Sequence, residues 1–112
     1  MENNCGYKVL YIIVNAGFAD EVVEIIREAG AGGATIINAR GTGSTHKEFL
    51  GITIDAEKEI VLSLVDGKIA KSILSVVKEK MGSNTEANGI CFIMPVDNMT
   101  TLNKLPPSEL NK

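Results

Sequence analysis

The fold prediction depends most on the stretch Gly30-Ala-Gly-Gly-Ala-Thr-Ile-Ile-Asn-Ala-Arg-Gly-Thr-Gly43. It places a β-branched, strand-forming run between two clusters of glycine. Glycine adopts backbone angles closed to other residues and lets a ligand approach the main chain. A strand that ends in Gly41-Thr42-Gly43 therefore presents amides that an anion can contact. The same glycines also suit a plain turn, so the sequence on both sides has to decide between these interpretations.

The segment before this stretch predicts a strand followed by a helix. Residues 7–14 read Tyr-Lys-Val-Leu-Tyr-Ile-Ile-Val, an almost unbroken apolar run that is typical of a central strand buried on both faces. Asp20 is a candidate N-cap for a helix over residues 21–29, and Gly30 ends that helix. Residues 34–40 then form the second strand.

The segment after it predicts the remaining elements. The side chains of residues 59–65 alternate between two faces, which predicts the third strand. Asp66 caps a second helix that Gly82 ends, and residues 90–94 form a fourth strand that ends at Pro95, which cannot donate to a ladder. This order predicts a ferredoxin-like βαββαβ fold, a four-stranded antiparallel sheet with two helices on one face. The other face is apolar but has no helix to cover it, so we expect oligomerisation to bury it.

Residues 44–55 are predicted to be a long loop between two strands, and loops of this length are usually functional or mobile. Exposed Phe49, Leu50 and Ile52 would invite a partner protein. The alternative is that these residues extend the two strands into a hairpin arm, and the two interpretations are compatible. The tail, residues 97–112, has little periodicity and is either disordered or packed on a neighbouring chain.

Composition limits the classes of function. A chain of 112 residues is expected to form one domain, with a core of about residues 7–96. The net charge is −3 and no basic run occurs, which argues against nucleic-acid binding. No apolar stretch approaches the roughly 20 residues of a membrane span, so no membrane insertion is expected. The polar first residues and two isolated cysteines indicate a reducing, cytoplasmic location and no disulfide.

Few residues suggest metal binding or catalysis. His46 is the only histidine, and the sequence supplies no metal-ligand spacing around it. Cys91 is interpreted as a small apolar filler of a strand, and Lys58, Lys68 and Lys71 as solvated residues. Arg40 either solvates a strand edge, pairs with an acidic group across subunits, or contacts a ligand phosphate. Because the sequence supplies no second group for hydrolysis beside an anion-binding arginine, we expect no enzyme.

At this point the residues resemble the PII nitrogen-regulatory signalling proteins. The match runs without a gap over residues 7–43, resumes over residues 59–66 and is weaker over residues 89–96. The residues that carry it are Asp20, Glu21, Val22, Glu24, Gly30, Gly33, Thr35, Arg40, Gly41, Thr42, Gly43, Asp66, Gly89 and Phe92.

The resemblance implies a homotrimer that binds an adenine nucleotide in clefts between subunits. It also implies that residues 44–55 are the equivalent of the family's T-loop, which docks on a membrane transporter or metabolic enzyme, with a role in nitrogen regulation. No cofactor is required. Carried over by position, the ligand-binding residues would be Ile13, Thr35, Arg40, Gly41, Thr42, Gly43, Ser63 and Gly89, the last from a neighbouring subunit.

Departures from the family pattern concern the phosphate-binding residues. In and beside the loop before the fourth strand, Asn84, Thr85, Ala87 and Ile90 stand where the family has glycines and lysines that hold phosphates. Ser44 replaces a basic residue, and residues 98–102 lack arginine. Charge-assisted hydrogen bonds are the strong ones that hold a triphosphate, so these losses weaken the case for ATP. ADP, AMP or another small anion then become candidates, and the chain is expected to be a divergent family member. The alternative is a trimeric metal-binding protein of the divalent-cation-tolerance type, against which the scarcity of histidine counts.

Overall fold

The computed structural model describes residues 6–41, 47–49, 52–54 and 56–100. Four strands form one antiparallel sheet in the order β2-β5-β1-β6, and β3 pairs with β4 in a separate two-stranded sheet. The ferredoxin-like fold is therefore confirmed. The elements are β1 (Tyr7–Asn15), α1 (Ala19–Glu28), β2 (Thr35–Gly41), β3 (Lys47–Phe49), β4 (Ile52–Ile54), β5 (Ala56–Asp66), α2 (Gly67–Met81) and β6 (Ile90–Pro95).

Both helices pack on one face of the sheet. Alternate residues of β1, Leu10, Ile12 and Val14, are fully buried, as the period of two in a strand requires. They belong to one apolar cluster with residues of both helices, including Ile26 of α1 and Ile73 of α2. A single core between the sheet and the helix layer therefore holds the chain together.

The two helices begin in different ways. The predicted cap of α2 is confirmed, because the Asp66 side chain accepts a hydrogen bond from the Lys68 amide at 2.9 Å. The predicted cap of α1 is wrong: Asp20 lies inside the first turn, and the N-cap position is Phe18, which makes no side-chain cap. A carboxylate from β5 takes the place of a local cap at this helix.

The second face of the sheet, which we call the open face, has no helix over it in the described chain. Strand β1 is central, as predicted, but the expectation that both its faces are buried is wrong for the single chain. On this face Leu64 is 45% and Ile90 60% exposed, and the Tyr11 and Phe92 rings stack with centroids 4.9 Å apart. By register, the open face carries Val9, Tyr11, Ile13, Thr35, Ile37, Ile60, Leu62, Leu64, Ile90, Phe92 and Met94.

The predicted 44–55 loop contains regular structure. Strands β3 and β4 pair there, with Phe49 opposite Ile52, and β5 begins at Ala56, three residues before the predicted third strand. The described part of this segment is therefore a strand pair, but β3 and β4 form a sheet of their own and do not extend β2 and β5 as the hairpin alternative expected. We call residues 44–55 the arm. Residues 42–46, 50–51, 55 and 101–112 lie outside the described chain, and with them most of the predicted tail.

Among the described residues, no helix is long and apolar enough to cross a membrane.

Candidate functional site

A cleft of about 630 Å³ opens where β1 and β2 end and β5 begins, at the root of the arm. Its lining mixes two cationic side chains with two carboxylates, so the cleft suits a polar or charged ligand better than an apolar one. The residues that line it are Ala16, Asn38, Ala39, Arg40, Glu57, Lys58 and Glu59.

Lys58 is one of the residues that line this cleft. Strand register places it opposite Ala39 of β2 and Asn15 of β1, and its Nζ donates to Asn15 Oδ1 at 2.7 Å. An added Cβ on Gly41 would lie 3.0 Å from Lys58 Cε, so glycine leaves room for the lysine stem. Lys58 is thus half-buried and hydrogen-bonded, and its interpretation as a solvated residue is wrong.

Asn15 connects the same cleft to the loop that precedes β6. Its backbone N–H donates to Ala87 O at 2.9 Å, and its side-chain Nδ2 donates to Glu86 O, also at 2.9 Å. Nothing in the local sequence marks Asn15 beyond its suitability for a turn. The partners of its side chain lie more than 40 residues away in the chain, which is why sequence reasoning missed it.

Glu59 also lines the cleft. Its Oε1 accepts hydrogen bonds from the Gly17 N–H at 2.9 Å and the Ala19 N–H at 3.0 Å. These are N–H groups at the start of α1, where four amides have no partner within the helix. A negative charge there also interacts favourably with the helix dipole, so Glu59 fixes the start of α1 against β5.

Gly89 is held close to the end of α2. Its N–H donates to Met81 O at 2.7 Å, and a Cβ at this position would collide with that same carbonyl oxygen. Packing alone therefore requires glycine here, and a ligand role for Gly89 stays a prediction.

A smaller cavity of about 220 Å³ lies beside Gly89, between α2 and β6, with Leu74, Val77 and Cys91 in its wall. Burial raises the pKa of the Cys91 thiol from its ordinary 9.0 to about 11. The thiol is therefore protonated at neutral pH and a poor nucleophile. This environment agrees with the interpretation of Cys91 as an apolar filler.

The structure brings some of the predicted ligand residues together and separates others. Arg40 lines the cleft and Gly41 lies beside it. Ile13 and Thr35 lie on the open face and are not among the residues that line the cleft. Ser63 lies on the opposite, helix-covered face, is 4% exposed, and donates to Gly33 O at 2.7 Å.

The other predicted ligand and partner residues are only partly described. Thr42, Gly43 and Leu50 lie outside the described residues, and Phe49 and Ile52 are placed by their strand pairing alone. All of these assignments stay predictions.

Within the described ranges, no group of three or more His, Cys, Asp or Glu residues could hold a metal ion. His46 lies outside those ranges.

Several solved structures resemble the chain. A protein described as PII-like and signalling, from Thermus thermophilus, has a TM-score of 0.63 and 23% identity, over 80% of this chain and 86% of its own. The complex of Bacillus subtilis GlnK with ATP has a TM-score of 0.65 and 14% identity, over 88% and 87%.

A third similar structure is CPII, a nitrogen regulatory PII-like protein from Thiomonas intermedia K12 bound to ADP, AMP and bicarbonate. It has a TM-score of 0.64 and 16% identity, over 86% of this chain and 96% of its own. At these identities the likeness establishes the fold alone.

No curated protein sequence matches the chain significantly. The family model of nitrogen regulatory protein P-II, in contrast, matches residues 7–104, which include both sheet edges, both helices and the arm. The chain therefore belongs to the nitrogen regulatory protein P-II family.

Proposed function

We propose that the chain is a homotrimeric signalling regulator that binds an adenine nucleotide in clefts between subunits and controls a partner through the arm. The observation that carries this proposal is the charged cleft at the root of the arm, in a chain of the P-II family. A ligand in that cleft would lie beside the segment that leaves the sheet to form the arm. The cleft is therefore well placed to pass a binding signal to that segment.

The charge of the cleft favours a nucleotide with few phosphates. Among the described residues of its wall, Arg40 and Lys58 are cationic, while Glu57 and Glu59 are acidic. Charge-assisted hydrogen bonds to cations hold phosphates most strongly, and each extra phosphate adds negative charge beside the two carboxylates. We therefore propose ADP or AMP over ATP. Of the similar structures, CPII is bound to ADP and AMP, whereas GlnK is bound to ATP.

The open face supports assembly into a homotrimer. Its rows of apolar side chains cross all four strands, and contiguous apolar patches of this kind mark interaction surfaces. Burial by further copies of the chain would remove Leu64, Ile90 and Phe92 from water. A trimer would also supply the second wall of each cleft, which a single chain leaves open.

The arm is the proposed contact with a partner. Phe49 and Ile52 are register partners in the β3–β4 pair, and Leu50 follows Phe49 in the sequence. We propose a membrane transporter or metabolic enzyme as the partner, with a role in nitrogen regulation in the cytoplasm. The protein acts by binding and carries out no reaction of its own.

A thermal-shift experiment with ATP, ADP, AMP and cyclic nucleotides, with and without magnesium, tests the nucleotide site. A ligand present at 100 times its dissociation constant stabilises a protein by roughly 2.7 kcal/mol. We expect the largest shift with ADP or AMP, and we expect Arg40→Gln to reduce it. Arg27→Gln, which changes an exposed arginine of α1, is the matched control and should retain the shift.

Light scattering on the same samples tests the assembly. We expect the mass of three chains, and Leu64→Lys on the open face should shift the mass toward one chain. A monomeric wild-type protein, or the absence of a shift with every nucleotide, would contradict the proposal.

For the arm, Phe49→Ala should abolish partner binding while the trimer and the nucleotide shift persist.

A further inference from the structure

The described residues contain a hydrogen-bonded connection between the root of the arm and the loop before β6. Resting on the function proposed above, we propose that Asn15 and Lys58 form a latch that transmits a change in the 82–89 loop to the arm. In this latch Asn15 is a positioning residue that regulates the cleft. Its basis is that Asn15 bonds both segments through different atoms.

On the arm side, three successive residues of β5 bind the segment that runs from the end of β1 to the start of α1. Glu57 O accepts from the Ala16 N–H at 3.0 Å, Lys58 Nζ donates to Asn15 Oδ1, and Glu59 accepts from the start of α1. Strand β4 ends only four residues before Lys58, at Ile54. Because Lys58 is so near β4 in the chain, the amides of β4 are where a response of the arm is to be measured.

On the loop side, the 82–89 loop is a compact unit. The Thr85 N–H donates to Gly82 O, the Asn88 N–H to Thr85 O, and the Gly89 N–H to Met81 O. Asn88 has a positive φ of 48°, which further restricts the conformations of the loop. A unit bonded in this way is expected to move as a whole, and Asn15 holds two of its carbonyls.

Lys58 allows the latch to be tested because, within the described residues, its side chain donates to Asn15 and not to the 82–89 loop. Its side chain contacts Asn15, and Asn15 contacts Glu86 and Ala87. An effect of Lys58 on the loop must therefore pass through the orientation of the Asn15 amide. A bond between Lys58 and Oδ1 fixes which way that amide points, so Nδ2 is directed at Glu86 O.

The first experiment is hydrogen exchange on the whole protein without nucleotide. In Lys58→Met, which keeps most of the aliphatic stem, we expect the Thr85, Asn88 and Gly89 amides to exchange roughly three- to tenfold faster, the change that loss of one hydrogen bond gives. Lys71→Met, on the exposed side of α2, is the matched control and should change none of these rates. Lys58→Arg, which keeps a donor, should restore the slow exchange.

A double-mutant cycle identifies the route. Asn15→Asp keeps an acceptor for Lys58 but removes the donor to Glu86 O, so it should speed loop exchange by itself. In that background, Lys58→Met should have no further effect on the loop. Unchanged loop exchange in Lys58→Met, or full additivity of the two substitutions, would overturn the inference.

The second experiment uses ADP as the probe. In the wild type, we expect ADP to change the hydrogen-exchange rates of the β4 amides. ADP should also bind to Asn15→Asp, but there the change in these rates should be at least threefold smaller. An undiminished response in ADP-bound Asn15→Asp would overturn the latch. Absence of ADP binding to the wild type would refute the proposed function. The connection from Lys58 through Asn15 to the 82–89 loop is tested separately, by the exchange experiment without nucleotide.

Discussion

Removing the Glu59 carboxylate should destabilise the protein through the start of α1. Glu59 Oε1 accepts from two backbone N–H groups at 2.9 and 3.0 Å. Hydrogen bonds to charged groups contribute about 1.5–3 kcal/mol each, but the Gly17 amide is exposed and can bond to water instead. The partly buried Ala19 bond therefore dominates, and we expect Glu59→Ala to lower the free energy of unfolding by about 2 kcal/mol.

Glu59→Gln separates the hydrogen bonds from the charge. Glutamine keeps an acceptor oxygen for the two amides but loses the interaction of the charge with the helix dipole. That interaction contributes about 0.3–1 kcal/mol, and bonds to a neutral acceptor are also weaker than bonds to a carboxylate, so this variant should lose some stability but less than Glu59→Ala. The order of the two variants tests whether the bonds or the charge matter more.

The assay is urea unfolding at a fixed protomer concentration, since assembly makes stability depend on concentration. Glu57→Ala is the matched control, because Glu57 is exposed and exposed substitutions usually change stability by no more than about 0.5 kcal/mol. Hydrogen exchange should locate the loss at the Gly17 and Ala19 amides. If Glu59→Ala were as mild as Glu57→Ala, the assignment of Glu59 as the cap of α1 would be refuted.

Three further predictions concern Ser63, Cys91 and Gly89. Ser63→Ala should lower stability by about 1–2 kcal/mol, because the Gly33 carbonyl loses its buried donor; urea unfolding with no loss would contradict this. In a Cys5→Ser background, alkylation of the Cys91 thiol should rise with pH around a midpoint near 11 in the folded protein and near 9.0 in urea, and equal midpoints would reject burial as the cause. Gly89→Ala should destabilise the fold even without ligand, because its Cβ meets the end of α2; unchanged urea unfolding would show that the loop relaxes freely.

The order of elements could be predicted because each element carries a local pattern. The alternation of β5 placed Val61 and Val65 on the buried face, and it is observed there. The Asp66 cap was predictable for the same reason, since its acceptor and donor lie two residues apart. The residues 44–55 gave no clear period, so a loop and a hairpin could not be distinguished before the pairing of Phe49 with Ile52 was seen.

The candidate site was predictable only in outline. Arg40 and the glycine after it were identified at a strand end, and they lie at the cleft. Lys58 and Asn15 were not identified, because an isolated lysine and a turn asparagine have no pattern that distinguishes them from solvated residues. Ser63 was chosen as a ligand residue by position, whereas the structure gives its hydroxyl the Gly33 carbonyl as a partner.

The sequence by itself determined the four strands of the main sheet, the two helices, the second helix cap and the family, because these depend on residues close together in the chain. Tertiary structure alone decided the cap of α1 by Glu59, the bond of Lys58 to Asn15 and the contact of Asn15 with the 82–89 loop. Each of these joins groups at least 40 residues apart. Such groups meet only after the register of β1 against β5 is fixed, and that register comes from burying one whole face of the sheet.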